Sequence, residues 1–280
     1  MSEFSPVTVA TVRAPINFLG PMPERPVKYQ YEPPAGVPAL TGEYVPHIVP
    51  VRNARPLAAK FSLDREGFEL VHAPSDFADF GDEEAIRRHY YREVERFLET
   101  RIVAAKVLVF DHNIRNASRA AAGEAGIRGP VERAHNDFTA QSGVDRARQE
   151  LKARGVDFHP LFFGNFALVN LWRPIGRPVE KSPLALCDAT TVEPEDLVES
   201  DLVYPDRVGE IYSITHNSSQ RWHYFPRLKP DEAILIKSYD SRKYDVARFT
   251  PHAAFDDPTS RPDAPDRESI EVRALVFYPD

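Results

Sequence analysis

The sequence lacks paired cysteines and any long apolar run, and each absence excludes a class of protein. One cysteine, Cys187, stands among 280 residues, which excludes an internal disulfide framework and a multi-cysteine metal site. No stretch approaches the roughly 18 apolar residues that a membrane-spanning helix needs. The first residues have no basic region followed by an apolar core, so we expect no secretory signal. We therefore expect a cytoplasmic protein that does not interact with membranes.

Basic charge is also scarce. The chain has 42 acidic against 35 basic residues and a net charge of −7, which argues against a nucleic-acid-binding protein held by phosphate contacts. We expect no nucleic-acid partner, and the sequence leaves open whether the protein is a monomer or a homodimer. Glycine is outnumbered two to one by proline, with 13 against 26, and so many prolines disfavour a helical bundle.

Prolines recur through the first 60 residues, between short aromatic and β-prone runs. Proline cannot donate to a ladder of strands, so this part of the chain should form edge strands and extended segments. It is too apolar to be a free tail. We predict that residues 1–60 form an arm packed on the core and that residues 61–280 form the main part of a single domain.

Hydrophobic spacing predicts two helices followed by many strands. The helices are expected over residues 83–100, with Asp82 as the N-cap, and over residues 142–154. Short apolar runs separated by turn residues predict an antiparallel sandwich or barrel with helices in front of it. The expected strands cover residues 104–110, 166–173, 184–189, 209–215, 222–225, 233–239 and 270–278.

A His-x-Asp sequence, His135-Asn136-Asp137, is the first candidate for chemistry. On a strand, positions i and i+2 face the same side, so an imidazole and a carboxylate can point at one metal ion. About one such pair is expected by chance in a chain of this composition. A hydrogen-bonded pair in a surface loop therefore remains an alternative.

Residues near the end of the chain strengthen the metal interpretation. His252 precedes an Arg-x-Ser sequence, Arg267-Glu268-Ser269, whose guanidinium and hydroxyl can together bind a carboxylate. Two histidines and one carboxylate are the ligand set of non-haem Fe(II) oxygenases, which leave positions open for a keto acid and dioxygen. A simple salt bridge from Arg267 to Asp263 or Asp266 is the alternative.

Several longer segments resemble the CmcJ/AsaB-like hydroxylase/desaturase family, which includes the gibberellin GA4 desaturases. They extend from about residue 66 to the end of the chain and together are more specific than any single motif. The segments are residues 109–112 (VFDH), 170–175 (NLWRPI), 182–188 (SPLALCD), 221–226 (RWHYFP), 231–241 and 267–273 (RESIEVR).

The resemblance implies an Fe(II)/2-oxoglutarate-dependent oxygenase with a mainly β fold, a double-stranded β-helix (jelly roll, cupin-like) with flanking helices. It implies His135, Asp137 and His252 as iron ligands, with Fe(II), 2-oxoglutarate and O2 as cofactors. Arg267 and Ser269 would then bind the distal carboxylate of 2-oxoglutarate. A small molecule of secondary metabolism would be hydroxylated, desaturated or otherwise oxidised.

Other residues are assigned less directly. The segment around residue 221 departs from the family pattern, so His216 or His223 competes with His252 for the third ligand position. Tyr239 is a candidate for contact with the keto acid. Candidate substrate-binding residues are Asn170, Trp172, Arg173 and His223.

Two alternatives to a 2-oxoglutarate oxygenase stay open on the sequence alone. One keeps the metal without the keto acid, as in a cupin-like dioxygenase or hydrolase. The other is a jelly-roll binding or accessory protein without metal. Dependence on Arg267 separates the first alternative from the oxygenase, and metal content separates the second.

Overall fold

Apolar and β-branched runs form the framework of the protein. The computed structural model describes residues 9–156 and 164–279. Its strands are β1 (Thr11–Leu19), β2 (Val27–Tyr29), β3 (Tyr44–Asn53), β4 (Phe68–His72), β5 (Lys106–Arg115), β6 (Ile127–Arg128), β7 (His135–Asn136), β8 (Phe166–Pro174), β9 (Leu184–Cys187), β10 (Leu197–Val203), β11 (Val208–Ile214), β12 (Trp222–Tyr224), β13 (Glu232–Asp240), β14 (His252–Ala254) and β15 (Ser269–Phe277).

These strands form two sheets that pack against each other. The larger sheet has the order β1-β3-β12-β9-β14-β7-β11-β10-β2, and the smaller has the order β4-β13-β8-β15-β5-β6. Leu186 of the larger sheet packs in one apolar cluster with Trp172 and Ile236 of the smaller. The expected architecture, mainly β with a jelly-roll core and flanking helices, is confirmed.

The smaller sheet is covered on both faces. Every residue of its central strand β8 is buried. Helix residues such as Tyr90, Val94 and Leu98 pack in one cluster with Val169 and Leu171 of β8. The other face of the strand packs toward the larger sheet. Burial on both faces explains why this strand reads as a continuous apolar run without alternation.

The helices lie where the spacing predicts them, with small differences at their ends. α1 (Glu83–Ala85), a π-helical turn (Ile86–Tyr90) and α2 (Tyr91–Ile102) follow one another without a break, and α4 (Ala140–Ala153) is the second long helix. Asp82 caps α1 by accepting hydrogen bonds from two backbone N–H groups, as predicted. Among the described residues, no helix is long and apolar enough to cross a membrane.

The proline-rich N-terminal segment supplies strands to both edges of the larger sheet. β1 and β3 pair with each other at one edge, and β2 pairs in parallel with β10 at the other. Edge positions tolerate the missing N–H groups of proline. The division of the chain at residue 60 stays a prediction.

The structure also differs from the sequence interpretation between residues 104 and 128. β5 continues to Arg115 because it pairs along its whole length with β15, where Ser269 faces Arg115. The short helix α3 (Ala117–Ala121) follows, capped by Asn116. The predicted strand over residues 104–110 is therefore longer than expected, and Arg115 lies at its end beside the predicted site.

Candidate metal centre

Strand pairing brings the three predicted metal ligands together. His135 on β7 pairs directly with His252 on β14 in the larger sheet, and their ring centroids are 4.5 Å apart. Asp137 follows β7. One ligand atom from each of the three residues lies within 4.8 Å of the other two. Among the described residues, this is the one group of three or more such side chains.

The outer nitrogen of each imidazole is fixed by a backbone carbonyl. His135 Nδ1 donates to the carbonyl oxygen of Arg133 at 2.8 Å, and His252 Nδ1 donates to that of Thr250 at 3.0 Å. Because a carbonyl only accepts, each Nδ1 carries a proton. In the neutral ring this leaves Nε2 as the nitrogen that can bind a metal ion.

Asp137 is held through one of its two oxygens. Oδ2 accepts hydrogen bonds from Asn170 Nδ2 at 2.7 Å and from Arg273 Nε at 2.8 Å. The other oxygen, Oδ1, lies 3.6 Å from His135 Nε2. The carboxylate thus keeps one oxygen directed at the two imidazoles, and its orientation is set by residues of the smaller sheet.

The electrostatics favour the ligand forms of these side chains. Burial, together with the neighbouring His252, lowers the pKa of His135 to about 3. Burial alone would raise the pKa of Asp137, but Arg273 and the two histidines outweigh this effect and hold that pKa well below its usual range. A neutral imidazole beside an ionised carboxylate is the state that binds a divalent metal.

This donor set fits ferrous iron. Two imidazole nitrogens and one carboxylate oxygen come from one side, with their outer atoms already bonded, as in the facial triads of non-haem iron enzymes. The structure leaves the other side of the cluster open to two cavities, which meet at His135 and Arg115.

The two competing histidines lie outside this cluster. His223 pairs with Leu186, which in turn pairs with His252, so two strand spacings of about 10 Å in total separate the two histidines. The His223 ring packs against Phe61. His216 stacks on the ring of His47 at 4.1 Å between centroids. The residue predicted as the third ligand is thus the histidine that joins His135.

The smaller of the two cavities contains the predicted carboxylate-binding arginine. Arg267 is 4% exposed and lines this cavity together with both histidines of the cluster. Its guanidinium lies over the ring of Trp172, 5.2 Å from the centroid. Ser269 is 1% exposed and does not line this cavity, and its hydroxyl has no hydrogen-bond partner among the described residues.

Arg267 has no carboxylate partner in the described part of the chain. Its guanidinium donates to the carbonyl of Ser182, and its Nε is unpaired. The alternative salt bridges are absent there, because Asp263 pairs with Arg261 and Asp266 with Lys181. Burial, together with the neighbouring Arg115, lowers the pKa of Arg267 to about 9. A buried cation without a carboxylate partner is a binding site for an anion that is not part of the protein.

The three residues predicted on β8 have three different positions. Trp172 lines the small cavity beneath Arg267. Asn170 holds Asp137 instead of reaching toward a substrate. Arg173 points to the opposite face, where it donates to the carbonyl of Pro230 and neighbours Tyr90, because successive side chains alternate along a strand. Arg173 and His223 line neither of the two cavities.

Tyr239 also lies apart from the predicted keto-acid pocket. A β-bulge shifts the register between Lys237 and Tyr239, which turns the tyrosine toward helix α4. There its ring lies against Phe166 and Phe249, directly under Gly143. The bulge puts Tyr239 on the same face of the sheet as Leu168, and its position near the end of β13 keeps it out of both cavities.

Sequence reasoning missed the roles of Arg273 and Arg115. Arg273 fixes Asp137 and pairs with Glu271 and Asp111 as well. A signal was present, because Arg273 shares a strand face with Arg267 in the alternation of β15. Arg115 lines both cavities, which follows from its pairing with Ser269 and not from its own sequence context.

The larger cavity has a volume of about 1230 Å³ and is also lined by His135. Asp137 and Arg273 form part of its wall, next to the aromatic rings of Phe110 and Phe138. This volume is enough for a small organic molecule to lie beside the metal cluster.

Comparisons with known proteins agree with this geometry. A family model described as an oxidoreductase/YMDC permease-like domain matches residues 16–277. The α-ketoglutarate-dependent dioxygenase phiK from a fungal species is 34% identical over 227 residues, which cover 78% of this chain and 80% of that protein. The hydroxylase/desaturase efuI of Hormonema carpetanum is 31% identical over 254 residues, covering 83% of this chain and 84% of its own.

The chain belongs to the hydroxylase/desaturase family of Fe(II)/2-oxoglutarate-dependent dioxygenases. A solved structure of the iron and α-ketoglutarate-dependent endoperoxidase NvfI superposes with a TM-score of 0.84 and 26% identity, over 96% of this chain and 99% of that one. The resemblance found in the sequence is confirmed. The protein is therefore an enzyme whose cofactors are Fe(II), 2-oxoglutarate and O2, and the metal-free binding protein is set aside.

Proposed function

We propose that this dioxygenase oxidises a C–H bond of a small molecule, by hydroxylation, desaturation or a related rearrangement, with His135, Asp137 and His252 as the iron ligands. When bound, iron and 2-oxoglutarate supply the oxidising chemistry, in which dioxygen oxidises the keto acid to succinate and CO2 together with the substrate. We further propose that the enzyme is cytoplasmic and acts as a monomer or homodimer.

The guanidinium of Arg267, which has no carboxylate partner in the described part of the chain, carries this assignment. It lines the same small cavity as both ligand histidines, so a carboxylate-binding group lies beside the metal cluster. The hydroxyl of Ser269, also buried and without a partner among the described residues, donates the second hydrogen bond to the carboxylate that Arg267 binds. Val131, Leu184 and Ala254 line the same cavity and exclude water from around the ion pair.

Other residues orient the metal ligands and provide space for the substrate. The carbonyls of Arg133 and Thr250 keep the protons of the two imidazoles on Nδ1, away from the metal side. Asn170 and Arg273 keep Asp137 ionised and turned toward the histidines. The large cavity beside His135 receives the substrate, so that its reacting carbon lies on the side away from Arg267.

A matched pair of histidine variants tests the ligand assignment. His252 and His223 are both buried and belong to the same sheet, but only His252 joins the cluster. His252→Ala should lose bound iron and the visible charge-transfer band that Fe(II) and 2-oxoglutarate form without oxygen. His223→Ala should keep both. Iron retained in His252→Ala and lost in His223→Ala would overturn the assignment.

The dependence on keto acid is tested at Arg267. Arg267→Ala should retain iron, because the arginine does not contact the ligands, but should form succinate in air only at much higher 2-oxoglutarate concentration. A variant with unchanged 2-oxoglutarate dependence would contradict the proposed binding site for the dicarboxylate.

Sedimentation of the purified protein measures its oligomeric state.

A further inference from the structure

The wall of the large cavity carries a group of cations that the proposed chemistry does not use. Lys28, Arg115, Arg128 and Arg133, hereafter the cationic cluster, all line this cavity. They come from distant parts of the chain, and Arg128 is placed beside Arg115 by the pairing of β6 with β5. Sheet topology therefore gathers four positive charges in a protein of net charge −7.

No member of the cationic cluster forms an ion pair with a carboxylate in residues 9–156 and 164–279. Arg115 donates to the carbonyl of Gly129, and Arg133 lies over the ring of Tyr44. Arg128 has no polar partner among these residues. Burial, together with the three arginines, lowers the pKa of Lys28 to about 8. The four cations repel one another, while the carboxylates of Glu271 and Asp137 attract Arg115 and compensate part of this repulsion.

The carboxylates around the same cavity are mostly used elsewhere. Five of the six belong to ion pairs: Asp111 and Asp137 with Arg273, Asp145 with Arg148, and Asp201 and Glu210 with Arg25. Glu132 is the exception, and it is exposed to solvent. The cavity thus has a surplus of unpaired positive charge beside paired negative charge.

From this arrangement we infer that the substrate is an amphiphilic anion, with a carboxylate or phosphate bound by the cationic cluster and an apolar body against Phe110 and Phe138. Guanidinium groups match either oxyanion with paired N–H donors. The inference rests on the proposed function, since it places the apolar body, which carries the C–H bond, beside His135 and Asp137.

The test uses three probes with the same aromatic body on protein loaded with Fe(II) and 2-oxoglutarate without oxygen. They are 1-naphthaleneacetate, 1-naphthyl phosphate and the neutral 1-naphthaleneacetamide, and calorimetry gives the Kd of each. The anions should bind about tenfold more tightly than the amide. The double variant Arg128→Gln/Arg133→Gln should lose most of this preference and leave the amide unaffected.

Arg148→Gln is the matched control, because Arg148 lines the same cavity but is paired with Asp145. It should keep the preference for anions. Equal binding of the anions and the amide by the unaltered protein would overturn the inference. So would an equal loss of preference in the control and the double variant.

Two further outcomes separate this inference from the proposed function. If the double variant needs more 2-oxoglutarate to form the charge-transfer band, the cluster serves the co-substrate and the inference fails. If the unaltered protein forms no band but still prefers the anionic probes, the proposed function fails and the anion site stands. Comparison of the two anions shows whether carboxylate or phosphate is preferred.

Discussion

The small and large cavities both present positive charge, but they do so in opposite ways. The small cavity shares Arg115 with the large one, but its own cation, Arg267, is 4% exposed and lies over the ring of Trp172. In the large cavity the four members of the cationic cluster, half-buried or exposed, line a volume of about 1230 Å³. A buried, fixed cation suits one ligand of constant shape, whereas a solvated cluster tolerates variation in its ligand. The difference matches a co-substrate shared by a whole family and a substrate that varies within it.

The largest expected effect comes from removing the fixed cation. Arg267→Met should raise the Kd for 2-oxoglutarate by about 100-fold, because a buried charged hydrogen-bonding pair is lost. It should also raise the free energy of unfolding of the ligand-free protein by about 1 kcal/mol, since an unpaired buried charge is replaced by an apolar side chain. Titration of the charge-transfer band and thermal unfolding measure the two effects.

Arg261→Met is the control for that variant, because Arg261 is exposed and paired with Glu180. It should change neither quantity. A clear loss of stability in Arg267→Met would show that the guanidinium holds the fold together, and the contrast between the two cavities would then lose its basis.

A smaller effect is expected from the residue that orients the carboxylate ligand. Asn170→Ala removes the hydrogen bond to Asp137 but no ligand, so iron affinity should fall by about 10- to 100-fold. Asn113→Ala is the control, since this buried asparagine lines the large cavity. Competition with a metal chelator measures the affinity. Unchanged iron affinity with weaker naphthalene-probe binding would return Asn170 to the substrate role that its sequence suggested.

The fold class and the metal cluster were both predictable because they depend on short-range rules. Alternation on a strand places His135 and Asp137 on one side, and turn residues delimit the strands that bring His252 beside them. The resemblance to the hydroxylase/desaturase family identified His252 as the third member of the cluster. These rules predict the face of a single strand or helix on which a side chain lies.

The unpredicted features depend on irregularities and on sheet order. The bulge before Tyr239 reverses the face that alternation assigns to it, and no sequence signal marks that position. The cationic cluster requires β2, β5, β6 and the segment before β7 to meet around one cavity. The convergence of these four segments depends on the strand order of the whole sheet. Residue patterns within one segment therefore do not predict the cationic cluster.

A variant of helix α4 should alter one cavity and spare the other. Ser142, Asp145 and Arg148 on this helix line the large cavity, while Gly143 lies against Tyr239. A Cβ at position 143 would meet the tyrosine ring at 2.5 Å. Gly143→Ala should therefore cost about 1–3 kcal/mol of stability and shift the Kd of the naphthalene probes.

In Gly143→Ala the 2-oxoglutarate titration should stay as in the unaltered protein. Tyr239→Phe is its companion, because it keeps the ring but removes the hydroxyl. This variant should leave the Kd for 2-oxoglutarate unchanged. A weaker 2-oxoglutarate titration in Tyr239→Phe would restore the contact between that hydroxyl and the keto acid.

The smallest expected effect is the uptake of a fraction of a proton by Lys28 when an anion binds in the large cavity. With a pKa of about 8, Lys28 is about half protonated at pH 8 and almost fully protonated at pH 6. An anion bound among Lys28, Arg115, Arg128 and Arg133 stabilises the charged lysine and raises its pKa. Binding of 1-naphthaleneacetate should therefore take up as much as about half a proton at pH 8 and almost none at pH 6.

Calorimetry in two buffers of different ionisation enthalpy counts these protons. Lys28→Met should abolish the uptake at pH 8, while the neutral 1-naphthaleneacetamide should cause none in any variant. Proton release at pH 8 would contradict this placement, because a bound anion raises the pKa of any neighbouring group, whereas an apolar body packed on Lys28 would desolvate the charged amine and lower its pKa. Uptake that persists in Lys28→Met would assign the proton to another group, and the large cavity would then owe its charge preference to the arginines alone.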